Sequence, residues 1–221
     1  MPVIPPPSTW MFPSVSTADE EGMVGVGADL DPGTVLGAYC HGLFPMPVGQ
    51  ESVIAWWSPD PRGVIELADL RITRSMRQAA KRFDVRIDTS FDTVIEQCRS
   101  QARPGGWISD DIVASYIRLH RMGWAHSIET WQNGKLVGGL YGIAIGGLFA
   151  GESMFHTVTD ASKVALMHLA DVINDGRDRL IDTQWFTEHL GTLGATEITR
   201  PAYLNRLQAV LQTPLPSQWD T

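Results

Sequence analysis

From about residue 61 onward, apolar residues alternate between a period of two and a period near 3.6, the signature of an α/β chain. The period-two stretches predict strands over 64–67, 85–88, 126–132, 135–145, 148–155, 179–184 and 196–198. Between them, helical spacing predicts helices over 73–83, 90–101, 109–122, 161–175, 185–193 and 201–211. Asn133-Gly134 between two such strands is a strong hairpin signal, and Gly146-Gly147 turns the chain again. Asp110 and Asp111 in the first turn of the 109–122 helix match its dipole. Upstream the pattern is poorer. Residues 1–13 hold five prolines and are expected to be extended, and 14–60 are rich in Gly and Pro. One helix is predicted there, over 32–41, with Asp31 capping and Pro32 in the first position. The character changes around Trp56-Trp57-Ser58-Pro59-Asp60-Pro61-Arg62. The chain therefore divides into a small N-terminal domain, 1–60, and a larger α/β domain, 61–221.

Two of the strands carry polar groups among apolar ones: Gly151-Glu152-Ser153-Met154-Phe155 and Leu180-Ile181-Asp182-Thr183-Gln184. Strand side chains two apart share a face, so Asp182 and Gln184 are expected to project together, with Ile181 and Thr183 opposite. A carboxylate beside an amide, with Glu152 near, makes an acceptor-rich spot suited to a cationic amine.

Composition narrows the classes. At 221 residues, 43% hydrophobic and 19% charged, the chain is expected to fold around a sizeable core. No apolar run reaches the ~20 residues of a bilayer span. No Lys or Arg precedes Arg62, so a secretory signal is not expected. Cys40 and Cys98 lack both metal spacing and a disulfide framework. On these features the chain is expected to be cytoplasmic, with no membrane partner.

The net charge of −8 disfavours nucleic acid, but its distribution does not. Residues 71–86 hold Arg71, Arg74, Arg77, Lys81, Arg82 and Arg86 against the single Asp84. Arg74, Arg77 and Lys81 fall on one helical face with Arg82 beside it. A solvated surface and a phosphate-binding face both fit that run.

Other motifs lead less far. Gly25-Val26-Gly27 and Gly138-Gly139-Leu140-Tyr141-Gly142 fail the dinucleotide fingerprint and fit bulges or close backbone approach, with a substrate against the glycines as a further option. Trp107, in a loop-like setting after Pro104-Gly105-Gly106, suits either core packing or stacking on a base. His120, His126 and Glu129 offer no shared ligand geometry. No nucleophile elbow or Cys–His pair is present, so covalent catalysis is unsupported.

Taken in order, Ala38-Tyr39 with Gly42-Leu43-Phe44-Pro45, the 56–62 segment, Arg74-Ser75-Met76, Trp107-Ile108, 125–129 (AHSIE), 136–142 (LVGGLYG), 151–155 (GESMF), Ala161-Ser162-Lys163, 180–184 (LIDTQ) and Leu193-Gly194-Ala195 resemble the leucyl/phenylalanyl-tRNA–protein transferases. The resemblance runs from about residue 12 to 208. It implies an α/β (α+β) fold: a small N-terminal domain plus a GNAT-like acyltransferase domain with a mixed, largely antiparallel sheet. Three antiparallel strands, a helix and a further strand agree with that order. It also implies transfer of Leu, Phe or Met from aminoacyl-tRNA to proteins with N-terminal Arg or Lys, in the N-degron pathway, without metal, nucleotide or CoA; a monomer is expected by default.

Carried over position by position, the resemblance makes Asp182 and Gln184 the amine-handling pair and Glu152 the group that favours a cationic acceptor. Met46, Trp107, Tyr116, Leu140, Phe149 and Leu169 would form the aminoacyl pocket and the 3′-adenosine site, and Arg74, Arg77, Lys81 and Arg82 would hold tRNA phosphates. The chain departs from the family pattern at Met46, where Trp is familiar, at Leu140 and Leu169, where Met and Phe occur, and at Thr183, where Cys is common. Thr183 is expected to face away from the amine. Asp182→Ala and Gln184→Ala are each expected to cut transfer without unfolding the protein.

Overall fold

The computed structural model describes residues 1–49, 53–101 and 106–220. Glu51 and Pro104-Gly105 lie outside the described residues. The small N-terminal domain is a three-stranded antiparallel sheet backed by one helix. Its strands are β1 (Met23–Val26), β2 (Phe44–Val48) and β3 (Val53–Trp57), in the order β1-β3-β2. This sheet is absent from the sequence-based expectation, which gave the segment only one helix. Pro45 and Pro47 weaken the strand signal of β2, yet the strand lies at an edge, where a missing N–H costs no ladder bond. The helix, α1 (Pro32–Cys40), begins where expected, but Asp31 makes no side-chain capping bond. Its carboxylate instead accepts from Arg118 at 2.9 Å.

The larger domain is a seven-stranded sheet in the order β10-β4-β9-β8-β7-β6-β5. The strands are β4 (Arg62–Glu66), β5 (Asp84–Ile87), β6 (Ala125–Gln132), β7 (Lys135–Ile145), β8 (Leu148–His156), β9 (Leu180–Gln184) and β10 (Thr196–Ile198). Every neighbouring pair is antiparallel except β8–β9, which is parallel. Parallel pairing needs a crossover, supplied by helix α5 (Ala161–Ile173). Asn133 and Gly134 both adopt positive φ, 52° and 73°, the conformation a two-residue hairpin between β6 and β7 demands.

The glycines of 138–142 serve packing. A side chain at Gly138 would collide with Ala161, and one at Gly142 with Phe149 and the Ala150 carbonyl beside the Tyr141/Gly142 bulge. Protein atoms, not open space for a substrate, face these two positions.

Helices α2 (Arg74–Ala80), α3 (Phe91–Gln101), α4 (Asp110–Arg121), α6 (Glu188–Thr192) and α7 (Arg200–Leu211) complete the chain. Ser109 caps α4, its hydroxyl accepting from the Ile112 amide. The two domains share one core: Val35, Tyr39 and Leu43 pack with Ile112, Tyr116, Tyr141 and Tyr203. On the opposite side, Leu166, Leu169 and Ile173 of α5 pack with Leu140, Phe149 and Ile181. Full burial of each such side chain is worth ~1.5–3 kcal/mol.

Candidate active site

Strands β4 and β9 bring Arg62 and Asp182 together in the interior. Neither side chain is exposed at all. Arg62 donates through Nε to Asp182 Oδ1 at 2.9 Å and through a terminal nitrogen to Oδ2 at 2.6 Å. The Tyr203 hydroxyl adds a third bond to Oδ2 at 2.8 Å. The guanidinium lies over the rings of Phe44 and Tyr203, 4.7 and 4.4 Å from their centroids. Desolvation opposes the charge on Arg62, but the adjacent Asp182 carboxylate outweighs it and holds the guanidinium ionised.

The remaining bond to Asp182 reaches the candidate site: the Gln184 backbone N–H donates to Oδ1 at 2.9 Å. Gln184 has φ of +59°, a left-handed conformation costly for a residue with a side chain. The strand alternation predicted for Asp182 and Gln184 therefore fails. Asp182 turns into the Arg62–Tyr203 cluster, while Gln184 turns to Glu152, its Nε2 donating to Oε1 at 3.3 Å. Thr183, expected to face away from the amine, lines the pocket with Ile181 by ordinary strand alternation, and it is Gln184 that joins that face through its left-handed backbone.

Half-buried on β8, Glu152 also accepts from the Tyr39 hydroxyl at 2.6 Å and the Tyr116 hydroxyl at 3.1 Å. The two hydroxyls stand 2.6 Å from each other. Burial raises the Glu152 carboxyl to about 7, against the pull of the two phenols, with Asp182 adding to the rise and Arg62 offsetting it.

Beside Glu152 and Gln184 opens a cavity of about 280 Å³. Its wall is apolar, formed by Ile65, Leu140, Phe149, Leu166, Leu169 and Ile181; Thr187 and His189 stand with Glu152 and Gln184 among its polar residues. The volume falls just below the ~300–1,000 Å³ of typical small-molecule sites, a size suited to one apolar side chain rather than a large cofactor.

Of the residues singled out from sequence, Glu152, Gln184, Leu140, Phe149 and Leu169 meet at this cavity. Asp182 lies behind it, and Tyr116 joins through Glu152 rather than as pocket wall. Met46 and Trp107 are half-buried against the core shared by the two domains and do not line the cavity. Arg74 and Arg77 stand exposed on α2, which ends at Ala80, so Lys81 is its C-cap. Arg82 lies beyond it, 3.4 Å from Asp160.

The residues that sequence reasoning missed are Arg62, Tyr203 and Tyr39. Arg62 closes the 56–62 segment, and a lone basic residue among apolar ones was the available signal. Trp185 and Phe186, assigned to a helix from their spacing, precede α6 and remain 37% and 38% exposed. Trp185 meets Phe44 edge-on at 4.9 Å.

The His120–His126–Glu129 group serves structure. His126 pairs with Asp88 at 2.7 Å, and Glu129 accepts from the Ser90 amide, Ser127 and Trp131 as well as Thr89. Among the described residues, no three His, Cys, Asp or Glu side chains are grouped to hold a metal ion.

The family model for leucyl/phenylalanyl-tRNA protein transferase matches residues 64–208, and that for the N-terminal domain of the same family matches residues 28–60. A leucyl/phenylalanyl-tRNA--protein transferase of Azoarcus sp. (strain BH72) is 46% identical over 216 residues, covering 95% of this chain and 92% of its own. One from Sulfurimonas denitrificans is 44% identical, covering 95% and 92%, and one from Anaeromyxobacter sp. (strain K) is 42% identical, covering 100% and 97%. The relatives are aminoacyltransferases, and this chain is an enzyme of that class. The chain belongs to the leucyl/phenylalanyl-tRNA protein transferase family.

Proposed function

We propose that this protein transfers Leu or Phe, and also Met, from aminoacyl-tRNA to the α-amine of proteins beginning with Arg or Lys, committing them to the N-degron pathway. It acts as a cytoplasmic monomer without metal, nucleotide or CoA. The observation that carries this reading is the apolar cavity of Leu140, Phe149, Leu169 and their neighbours, which opens beside Glu152 and Gln184. The transferred side chain fills the apolar part, and its ester carbonyl then lies beside the acid–amide pair. The domain boundary falls at 60/61. The antiparallel run β6-β7-β8, followed by α5 and a parallel β9, supports a GNAT-like core for the larger domain.

An aminoacyl ester is already activated, so the chemical difficulty is the acceptor. An α-amine of pKa ~8 is mostly protonated at neutral pH and must present a lone pair. Glu152 accepts from the Gln184 amide nitrogen, which orients the amide and leaves its carbonyl to accept an amine hydrogen. That bond aims the nitrogen at the ester. Asp182 positions Gln184 through the backbone N–H it accepts. The charge on Glu152 favours an acceptor carrying an Arg or Lys side chain. Holding nucleophile and ester in register supplies much of the acceleration. Met46 and Trp107 receive the terminal adenosine, and Arg74, Arg77, Lys81 and Arg82 hold phosphates further along the tRNA.

The test is labelled Leu-tRNA offered with peptides that begin with Arg, Lys or Glu. Product on Arg and Lys peptides alone is expected; binding of Arg peptides without product from any charged tRNA would reduce the protein to a recognition module.

A further inference from the structure

Three oxygen-bearing groups close a ring beside the cavity. Tyr39 stands 2.6 Å from Glu152 Oε1, Tyr116 stands 3.1 Å from Oε2, and the two phenol oxygens lie 2.6 Å apart. Three hydrogen bonds need three protons, and two phenols own only two. With Glu152 ionised, both phenol protons point at the carboxylate and the Tyr39–Tyr116 pair is left with lone pairs facing each other. One further proton on Oε1 removes the conflict. Oε1–H then donates to Tyr39, Tyr39 donates to Tyr116, and Tyr116 donates to Oε2. Only hydroxyl protons rotate, and no heavy atom moves.

Oε1 is also the oxygen that faces Gln184. Asp182, the other carboxylate near by, already accepts two bonds from Arg62, one from Tyr203 and one from the Gln184 amide, and does not line the cavity. We propose that Glu152, held by Tyr39 and Tyr116 as a one-proton store, is the catalytic group that takes the proton from the acceptor's α-ammonium.

This deepens the reading above and rests on it. The acceptor ammonium gives one proton to Glu152 Oε1, and its freed lone pair bonds to the ester carbonyl carbon. The tetrahedral adduct collapses, breaking the bond between carbonyl carbon and ribose oxygen. A second proton from the adduct nitrogen goes to that leaving oxygen. The new amide keeps one N–H, and Glu152 returns its proton to solvent once product leaves. The charge that draws the cationic acceptor is thereby discharged by the acceptor itself. Glu152 is the catalytic residue, and Tyr39 and Tyr116 are positioning residues.

The titratable and charged groups around Glu152 are Tyr39 of α1, Arg62 of β4, Tyr116 of α4, Tyr141 of β7, Asp182 of β9 and His189 of α6. A midpoint near neutrality matches the working range of a general base. Removing either phenol breaks the ring in both protonation states, so each Tyr→Phe change shifts that midpoint.

The experiment combines a titration with a rate profile on the full chain. Protein labelled with ¹³C at the glutamate carboxyl carbon is followed by NMR from about pH 4 to about pH 9, a span that brackets both ordinary and raised carboxyl groups. The Glu152 signal is assigned by its loss in Glu152→Gln. In parallel, kcat/KM for Leu transfer from Leu-tRNA to an Arg peptide is measured over the same range. The expected result is a Glu152 midpoint near 7 that shifts by about one pH unit in Tyr39→Phe and in Tyr116→Phe, with the rate profile moving alongside. Glu152→Gln, shown folded by its melting curve, should lose ~10²-fold or more in rate together with the inflection. A Glu152 midpoint in the ordinary carboxylate range, or Tyr→Phe profiles that superimpose on the wild type after scaling, overturns the proposal while leaving transfer itself intact. Wild-type protein that makes no product overturns the underlying reading instead.

Discussion

Arg62 and Asp182, 120 residues apart, meet in the interior through bonds of 2.9 and 2.6 Å with no solvent at either side chain. This pair ties β4 to β9, and the Gln184 backbone N–H donates to the same carboxylate. Asp182 is thus part of the frame of the site as well as its support.

Asp182→Ala leaves a guanidinium buried and unpaired. Removing one partner of a buried pair costs ~3–5 kcal/mol, so this variant should unfold well below the wild type in urea. The expectation of an unchanged fold, formed from sequence, is corrected by the presence of Arg62. Urea midpoints for Asp182→Ala and wild type that coincide would show that the pair contributes nothing.

Gln184→Ala removes the amide that aims the amine and leaves the Asp182 bonds to Arg62 and Tyr203 in place. Single-turnover transfer should slow by ~10²-fold with the melting temperature nearly unchanged. A folded variant with wild-type rate would remove Gln184 from the mechanism.

Leu169→Ala opens the cavity wall. The change should cost ~2–5 kcal/mol of stability and raise the Phe-to-Leu transfer ratio by ~10-fold. Parallel assays with Phe-tRNA and Leu-tRNA check this, and an unaltered ratio would place the transferred side chain elsewhere.

The raised Glu152 carboxyl has a consequence for stability. Its folded value, about 7, lies above the ordinary 4.5, so folding favours the protonated form. That contribution is fully present below pH 4.5 and is lost as pH rises through about 7. Wild-type stability should therefore fall across this window relative to Glu152→Gln, which carries no charge there. Chemical denaturation of both proteins at a series of pH values measures it, and parallel curves would contradict the shift.

Replacing Arg74, Arg77 and Lys81 with Ala should weaken tRNA binding. It should also flatten the dependence on log salt by about one for each phosphate left without its cation. An unchanged slope would move the phosphate-binding face away from α2.

Much of the larger domain was legible because its signals are local. Asn133-Gly134 gives a hairpin by backbone conformation alone, and α4 carries Ser109 and its acidic first turn in plain view. The N-terminal sheet was hidden because Pro45 and Pro47 read as strand breakers until β2 is known to be an edge. Within the site, the positions carried over from the family resemblance included Glu152, Gln184, Leu140, Phe149 and Leu169, which do meet. Strand alternation placed Ile181 and Thr183 on one face and Asp182 on the other, but misplaced Gln184, because its positive φ and the bulge at Gly63/Val64 disturb the end of β9. Arg62, Tyr39 and Tyr203 were invisible as partners since each acts across a long stretch of chain, a relation no local pattern records.

We propose that the cavity and the Glu152–Gln184 pair together transfer an amino acid from tRNA to an amine. It is tested most directly by mass spectrometry of an Arg-initiated peptide incubated with Leu-tRNA and either wild type or Gln184→Ala. A peptide extended by one leucine at its N-terminus is expected with wild type, and little or none over the same time with the variant. An unextended peptide with wild type, or equal extension by both proteins, would contradict it.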